Sequence, residues 1–266
     1  MHPFLHTISV FWQLMCRDLF VHKKDFFDHM INSVIISPIL FGFSFAYIQK
    51  TVYFGESAAA AQQGTIMFIG SMIIPILVVS YKILAELLFD LEGNKFIIYQ
   101  MTILNPQLIL LQRIIFASVY TIILTLPFLP IASLIVGNHL DLHAINWLSF
   151  NIVIVASVFC CASYNMFVLT LLKIENLKSF WIRVNWPLIN LGGFWVPLMV
   201  INKFSSTLGA LALLNPVTYM LEGLRSAVTG SDTFMSVTTC CGILMVFTGL
   251  CMGLSFVSFK RRVDHI

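Results

Sequence analysis

The residues best equipped for chemistry fall in a few short stretches. One is "LNPVTYMLEGLRSAVTG", residues 214–230, with Asn215, Pro216, Tyr219, Glu222, Arg225 and Gly230. Pro216 suits the start of a helix, where its missing N–H costs nothing, and Gly230 suits the end. Glu222 and Arg225 lie three apart and can pair on one helical face, while Leu221, Leu224 and Val228 cover another. Such a pair either braces a turn or touches a ligand. A second stretch, "AELLFDLEGNKFIIYQMTILNPQLILLQR" (85–113), carries Glu86, Asp90, Glu92 and Lys95 among apolar side chains. Glu86 and Asp90 are four apart and share a helical face, away from much of the surface of Leu84, Leu87, Leu88 and Leu91. That suits a lever set between an apolar layer and a soluble partner. In "GNHLDLHA", His139, Asp141 and His143 could supply three metal ligands if the loop were extended. Against this, Asp141 sits where the next helix wants an N-cap, and one short loop offers no supporting shell.

The elements that must position these groups are mostly oil. Of 266 residues, 59% are hydrophobic and 10% charged, with a mean hydropathy of +0.91. Soluble domains are about 45–50% apolar and about 25% charged, so the excess must face lipid. A net charge of +3 is too small to argue for nucleic acid. Six stretches approach the ~20 apolar residues that a bilayer requires: Ile31–Ile48, Thr65–Tyr81, Ile114–Val136, Ile145–Leu172, Trp186–Ile201 and Phe234–Phe259. The fifth is interrupted by Pro187, Asn190, Gly192, Gly193 and Pro197.

Basic residues orient the spans. With a cytoplasmic N-terminus, twelve fall inside: Arg17, Lys23, Lys24, Lys82, Lys95, Arg113, Lys173, Lys178, Arg183, Lys260, Arg261 and Arg262. Three fall outside: Lys50, Lys203 and Arg225. Both termini are then cytoplasmic. The first thirty residues lack a signal-peptide cleavage pattern. Phe4, Ile8, Phe11, Trp12, Met15 and Leu19 make one face of a helix lying in the interface, with Lys23 and Lys24 near anionic headgroups.

Cys16, Cys160, Cys161, Cys240, Cys241 and Cys251 form neither a disulfide framework nor a zinc spacing; they read as small apolar residues. No H-E-x-x-H, G-x-S-x-G or G-x-x-x-x-G-K-[ST] occurs, and a partial match at Gly42-Phe43-Ser44-Phe45 fails at its last element. The sequence makes no case for an enzyme. Ionisable residues are sparse in the span cores, which disfavours an ion- or proton-coupled carrier. If anything is moved uphill, its energy comes from a separate polypeptide.

The chain resembles the six-span permeases of the ABC exporter class, which include bacterial drug and polysaccharide exporters. The likeness covers nearly the full length and is most specific at Asn215, Pro216, Tyr219, Glu222, Arg225 and Gly230. "NLGGFWVPL" (190–198) looks like the family's Gly-Gly segment, and "TILNP" (102–106) like the residues preceding its third span. The acidic residue that often precedes that proline is replaced by uncharged residues around Tyr99 and Gln100. The resemblance implies an all-α integral membrane protein forming one permease domain. Its parts are an interfacial helix (1–30), spans one and two (31–84), a cytoplasmic coupling region (85–113), spans three to five (114–201), an outer re-entrant segment (202–233), and span six with its tail (234–266). It further implies a partner ATPase holding ATP and magnesium, a second permease chain as a homodimer, no cofactor in this chain, and a place in a bacterial inner membrane. The cargo would be apolar or amphipathic: a drug, a lipid or a lipid-linked glycan. A non-transport membrane scaffold is the alternative. Gly249-x-x-x-Gly253 permits close helix approach, within the chain or between chains.

Overall fold

Among the described residues of a computed structural model of the chain, four helices are long and apolar enough to cross a membrane: α3 (Thr65–Leu91), α4 (Pro106–Leu134), α5 (Trp147–Leu171) and α10 (Val237–Val263). The structure describes residues 3–42, 44, 65–93, 100, 104–136, 142–143, 145–230 and 233–263, and all regular elements among them are helical. Two helices precede the four, α1 (Pro3–His22) and α2 (Phe26–Phe41). Between α5 and α10 lie α6, whose abutting pieces are Leu177–Phe180, Trp181–Asn185 and Trp186–Leu191, then α7 (Leu198–Phe204), α8 (Ser206–Leu213) and α9 (Pro216–Thr229).

The sequence stretches and the helices differ in instructive places. The expected second span continues unbroken as α3 past Tyr81 to Leu91, so Glu86 and Asp90 ride on its last turns. The expected fifth span, Trp186–Ile201, is not one helix. Its helix begins earlier, at Leu177, and stops at Leu191 before a turn through Gly193, whose φ is +90°. Pro187 is absorbed because the wider turn at Trp181–Asn185 removes the carbonyl clash that a proline normally creates. At 1.5 Å per residue α6 is about 22 Å long, short of a ~30 Å hydrocarbon core. The first expected span coincides with α2 as far as Phe41; Phe43 and residues 45–48 lie outside the described residues.

Local rules set the helix ends. Asn105 and Asn215 each precede a proline and each cap the helix that follows, accepting from Gln107 N at 3.2 Å and Val217 N at 3.0 Å. The cap expected of Asp141 falls to Asn146, which accepts from Ser149 N at 3.1 Å because α5 starts only at Trp147. At the far end of α5, Arg262 of α10 donates to the Leu169, Thr170 and Leu172 carbonyls at 3.1, 3.3 and 2.7 Å. Those carbonyls have no intrahelical partner, so a cation completes the end.

α5 is the hub, packed against α3, α4, α9 and α10. The apolar core has two parts along the bundle. One gathers Phe68, Phe128, Phe150 and Phe194; the other gathers Leu87, Ile109, Phe116 and Met166. Where they meet, Asn165 Nδ2 donates to Ser80 Oγ at 2.8 Å and Leu77 O at 3.3 Å, tying α5 to α3. α10 stands apart: 17% of its apolar window is buried, against 56–78% for the other three spans. Its outward Met245, Val246, Leu250 and Leu254 suit hydrocarbon rather than water. Gly249 and Gly253 lie on open surface, with no atom within 4 Å of an added Cβ.

Candidate functional site

Two buried polar clusters occupy opposite ends of the bundle. The first is built on α9, which is buried nearly all round, with Glu222 at 3% and Arg225 at 0% exposure. The helix starts at Pro216 and ends at Gly230, whose φ of 60° is the left-handed conformation that glycine favours. Arg225 Nε donates to Ile66 O at 3.1 Å, at the start of α3. Its Nη2 donates to Gly193 O at 2.7 Å and Phe194 O at 3.2 Å, in the turn after α6. Glu222 Oε1 lies 3.6 Å from Arg225 Nη1 and accepts from Leu198 N at 2.9 Å, at the head of α7. Glu222 and Arg225 therefore tie α9 to α3, the α6–α7 turn and α7. Burial lowers the guanidinium pKa to about 10, opposed by Glu222, so it stays cationic at neutral pH.

The expected polar face of α9 is turned into protein, not water, because Arg225 satisfies carbonyls that the α6–α7 turn leaves unpaired. Asn215 Nδ2 donates to Leu188 O at 2.6 Å, and Tyr219 Oη donates to Leu213 O at 2.7 Å. These six sequence-selected residues thus share one short helix and its caps. A cavity of about 390 Å³ opens beside them, lined by Glu222, Leu198, Met199, Asn202, Lys203 and Met235.

Close approach makes glycine obligatory at Gly70. A Cβ there would collide with Phe194 O and lie 3.0 Å from Arg225 Nη2. Gly70→Ala should therefore displace the turn that Arg225 grips and lower the unfolding temperature by several degrees, as overpacking of about 1–3 kcal/mol does. An unchanged melting curve in detergent would show that the turn yields freely.

The second cluster lies at the other end, where α1 docks. Asp18 is 1% and Arg113 3% exposed. Arg113 of α4 pairs with Asp90 of α3 through Nη2 and stands 3.8 Å from Asp18 of α1. Gln112 Nε2 donates to Asp18 Oδ2 at 2.8 Å, and Arg17 pairs with its neighbour Asp18. His22 Nε2 lies 3.3 Å from Glu86 Oε2, and its ring stacks on Phe116 with centroids 5.3 Å apart. Asp90 is thus paired inside the chain, while Glu86 stands beside His22 with its side chain 41% exposed. Glu92 is helical in backbone; its side chain and Lys95 lie outside the described residues, as do His139 and Asp141. Among the described residues no cluster suits a metal ion.

The expected apolar stripe of α1 is divided. Phe11 and Met15 pack on the bundle, whereas Ile8, Trp12 and Leu19 are exposed. The docking seam is instead Asp18 and His22, which the apolar periodicity passed over. Their i, i+4 spacing was the available signal.

His22 gives this seam a pH dependence. Its pKa is lowered from 6.5, by burial first and then by Arg113 and His29, while Asp18 and Asp25 raise it. Glu86 also faces it. The unfolded chain therefore binds the proton more readily, and stability from docking α1 is present above pH 6.5 and lost as pH falls through the lowered value. Melting temperatures from pH 8 to 5 should fall below 6.5 in the native chain and fall less steeply in His22→Gln, the remaining slope belonging to His29, whose pKa burial also lowers. Equal slopes would remove His22 as the cause.

All six cysteines are free thiols. No protein-family model matches the chain, and no curated protein matches it.

Proposed function

We propose that the chain is the membrane-spanning permease subunit of an ATP-driven exporter, moving an apolar or amphipathic cargo outward with energy from a separate ATPase. The observation that carries this reading is α9: a 14-residue helix, too short to span, buried among the spans and tied to the head of α3 by the hydrogen bond from Arg225 to the Ile66 carbonyl. A simple anchor has no use for such a helix, whereas a permease needs a movable closure where cargo leaves. Its motif residues are those on which the resemblance to ABC exporter permeases rests.

In this reading the chain from α2 onward supplies the first of six spans, and α6 with the turn and α7 that follow it supplies the fifth. The end bearing Lys82, Arg113, Lys178 and Lys260 faces the cytoplasm of a bacterium, by the excess of positive charge. ATP and magnesium belong to the partner ATPase, which engages residues 92–103, and a second permease chain completes the pathway.

The test is a mild-detergent purification of the tagged full chain from its own cells, with ATPase activity assayed on what accompanies it. A stoichiometric ATPase should copurify and be lost on Glu92→Lys with Lys95→Glu, at unchanged melting temperature. Glu86 and Asp90 are unsuitable for this purpose because Glu86 faces His22 of α1 and Asp90 pairs with Arg113, which faces Asp18 of α1. A clean chain with no such partner overturns the exporter and leaves the scaffold.

A further inference from the structure

A groove of about 430 Å³ lies between α3 and α6, at the end of the bundle where the cations gather. Its floor is Val78, Leu177 and Ile182, almost wholly hydrocarbon. Tyr81 and Trp181 form one wall, their rings 5.2 Å apart, and Tyr81 Oη donates to Leu177 O at 3.0 Å. That bond ties the helices on either side, so the groove is a built feature. Lys82 and Lys178 stand at its rim, both exposed, and no carboxylate pairs with either among the described residues.

We infer that this groove holds an anionic phospholipid of the leaflet at the basic end, its phosphate between Lys82 and Lys178 and an acyl chain along the apolar floor. Three observations select this occupant. The two exposed ammonium groups, without a carboxylate partner among the described residues, attract negative charge. The floor has no use for a free anion, because it offers hydrocarbon where a soluble phosphate needs donors. Tryptophan and tyrosine together mark the depth at which headgroups meet acyl chains, and the volume falls within the range of small-ligand sites, about 300–1,000 Å³. Basic pockets between helices bind acidic headgroups by the same physics. The inference does not depend on transport.

Trp181 makes the site observable. The purified full-length chain in mild detergent is titrated with phosphatidylglycerol or phosphatidylcholine carrying brominated acyl chains, and tryptophan quenching is recorded. The difference from Trp181→Phe isolates the signal of this ring among the five tryptophans. Phosphatidylglycerol should quench Trp181 at a lower mole fraction than phosphatidylcholine. Lys82→Gln with Lys178→Gln should weaken that preference by roughly 30-fold, the effect of two cations near an anionic surface. Lys82→Arg with Lys178→Arg should restore it. Both side chains are exposed, so folding is preserved, and each single glutamine variant should show a partial loss. Equal quenching by the two lipids, which is annular contact only, overturns the inference. So does a preference that survives loss of both lysines. Inorganic phosphate alone should leave the quenching by phosphatidylglycerol unchanged; displacement of the lipid by phosphate would identify an anion site and overturn the lipid.

Discussion

Arg225→Leu should cost about 3–5 kcal/mol of folding stability, the typical penalty for removing one partner from a buried ion pair. Arg225 satisfies the Ile66, Gly193 and Phe194 carbonyls and faces the buried Glu222. Leucine leaves all four groups without it in a region closed to water, and an unpaired buried polar group is expensive. In a chain of this size the melting temperature should fall by about 10 °C. Glu222→Gln should cost less, about 3 kcal/mol, because it leaves the buried guanidinium without its counter-charge. The amide oxygen still accepts from Leu198 N, and Arg225 keeps its three carbonyls. A loss below about 1 kcal/mol in Arg225→Leu would mean that the turn after α6 finds other partners and that Arg225 is not structural.

Arg113→Leu should have the second large effect, in a different place. Asp18, at 2% side-chain exposure, would lose its guanidinium neighbour while remaining buried against Gln112, and Asp90 would lose its partner. A loss of about 3–5 kcal/mol is expected, expressed first as release of α1. Amide hydrogens of residues 8–22 should exchange faster, with those of α5 little changed. Adding Asp90→Leu to that variant should recover part of the loss, because the second change removes the carboxylate that paired with Arg113. Undisturbed exchange in α1 would show that its apolar contacts alone hold it.

What was legible in the sequence is what short-range rules govern. Pro216 and Gly230 bound α9 because a missing N–H and a left-handed conformation are local requirements. The four long spans were legible because a continuous apolar run has few other uses. The fifth was misplaced because Pro187 reads as a breaker, yet one wider turn accommodates it, while the real break is the turn at Gly193. The acidic pair on α3 is visible in the sequence, but its surroundings are not, because nothing in its own segment opposes Glu86 and Asp90. Their partners, His22 and Arg113, are distant in sequence and are brought near only when α1 and α4 pack on α3. The groove beside Trp181 was hidden for the same reason, since Tyr81 and Leu177 meet only across the fold.

α3 is gripped by an arginine near each end: Arg225 at Ile66 and Arg113 at Asp90. Those points are about 36 Å apart along the axis, and the bond from Asn165 to Ser80 lies between them. The helix is therefore a beam with a pivot and two handles. A tilt of about 10° about its middle carries each handle about 3 Å, in opposite senses. Such a displacement breaks a hydrogen bond unless the gripping arginine follows, so α4 and α9 must travel with the beam or let go of it. Whatever pushes on one face of the membrane is felt on the other as a choice between those two outcomes.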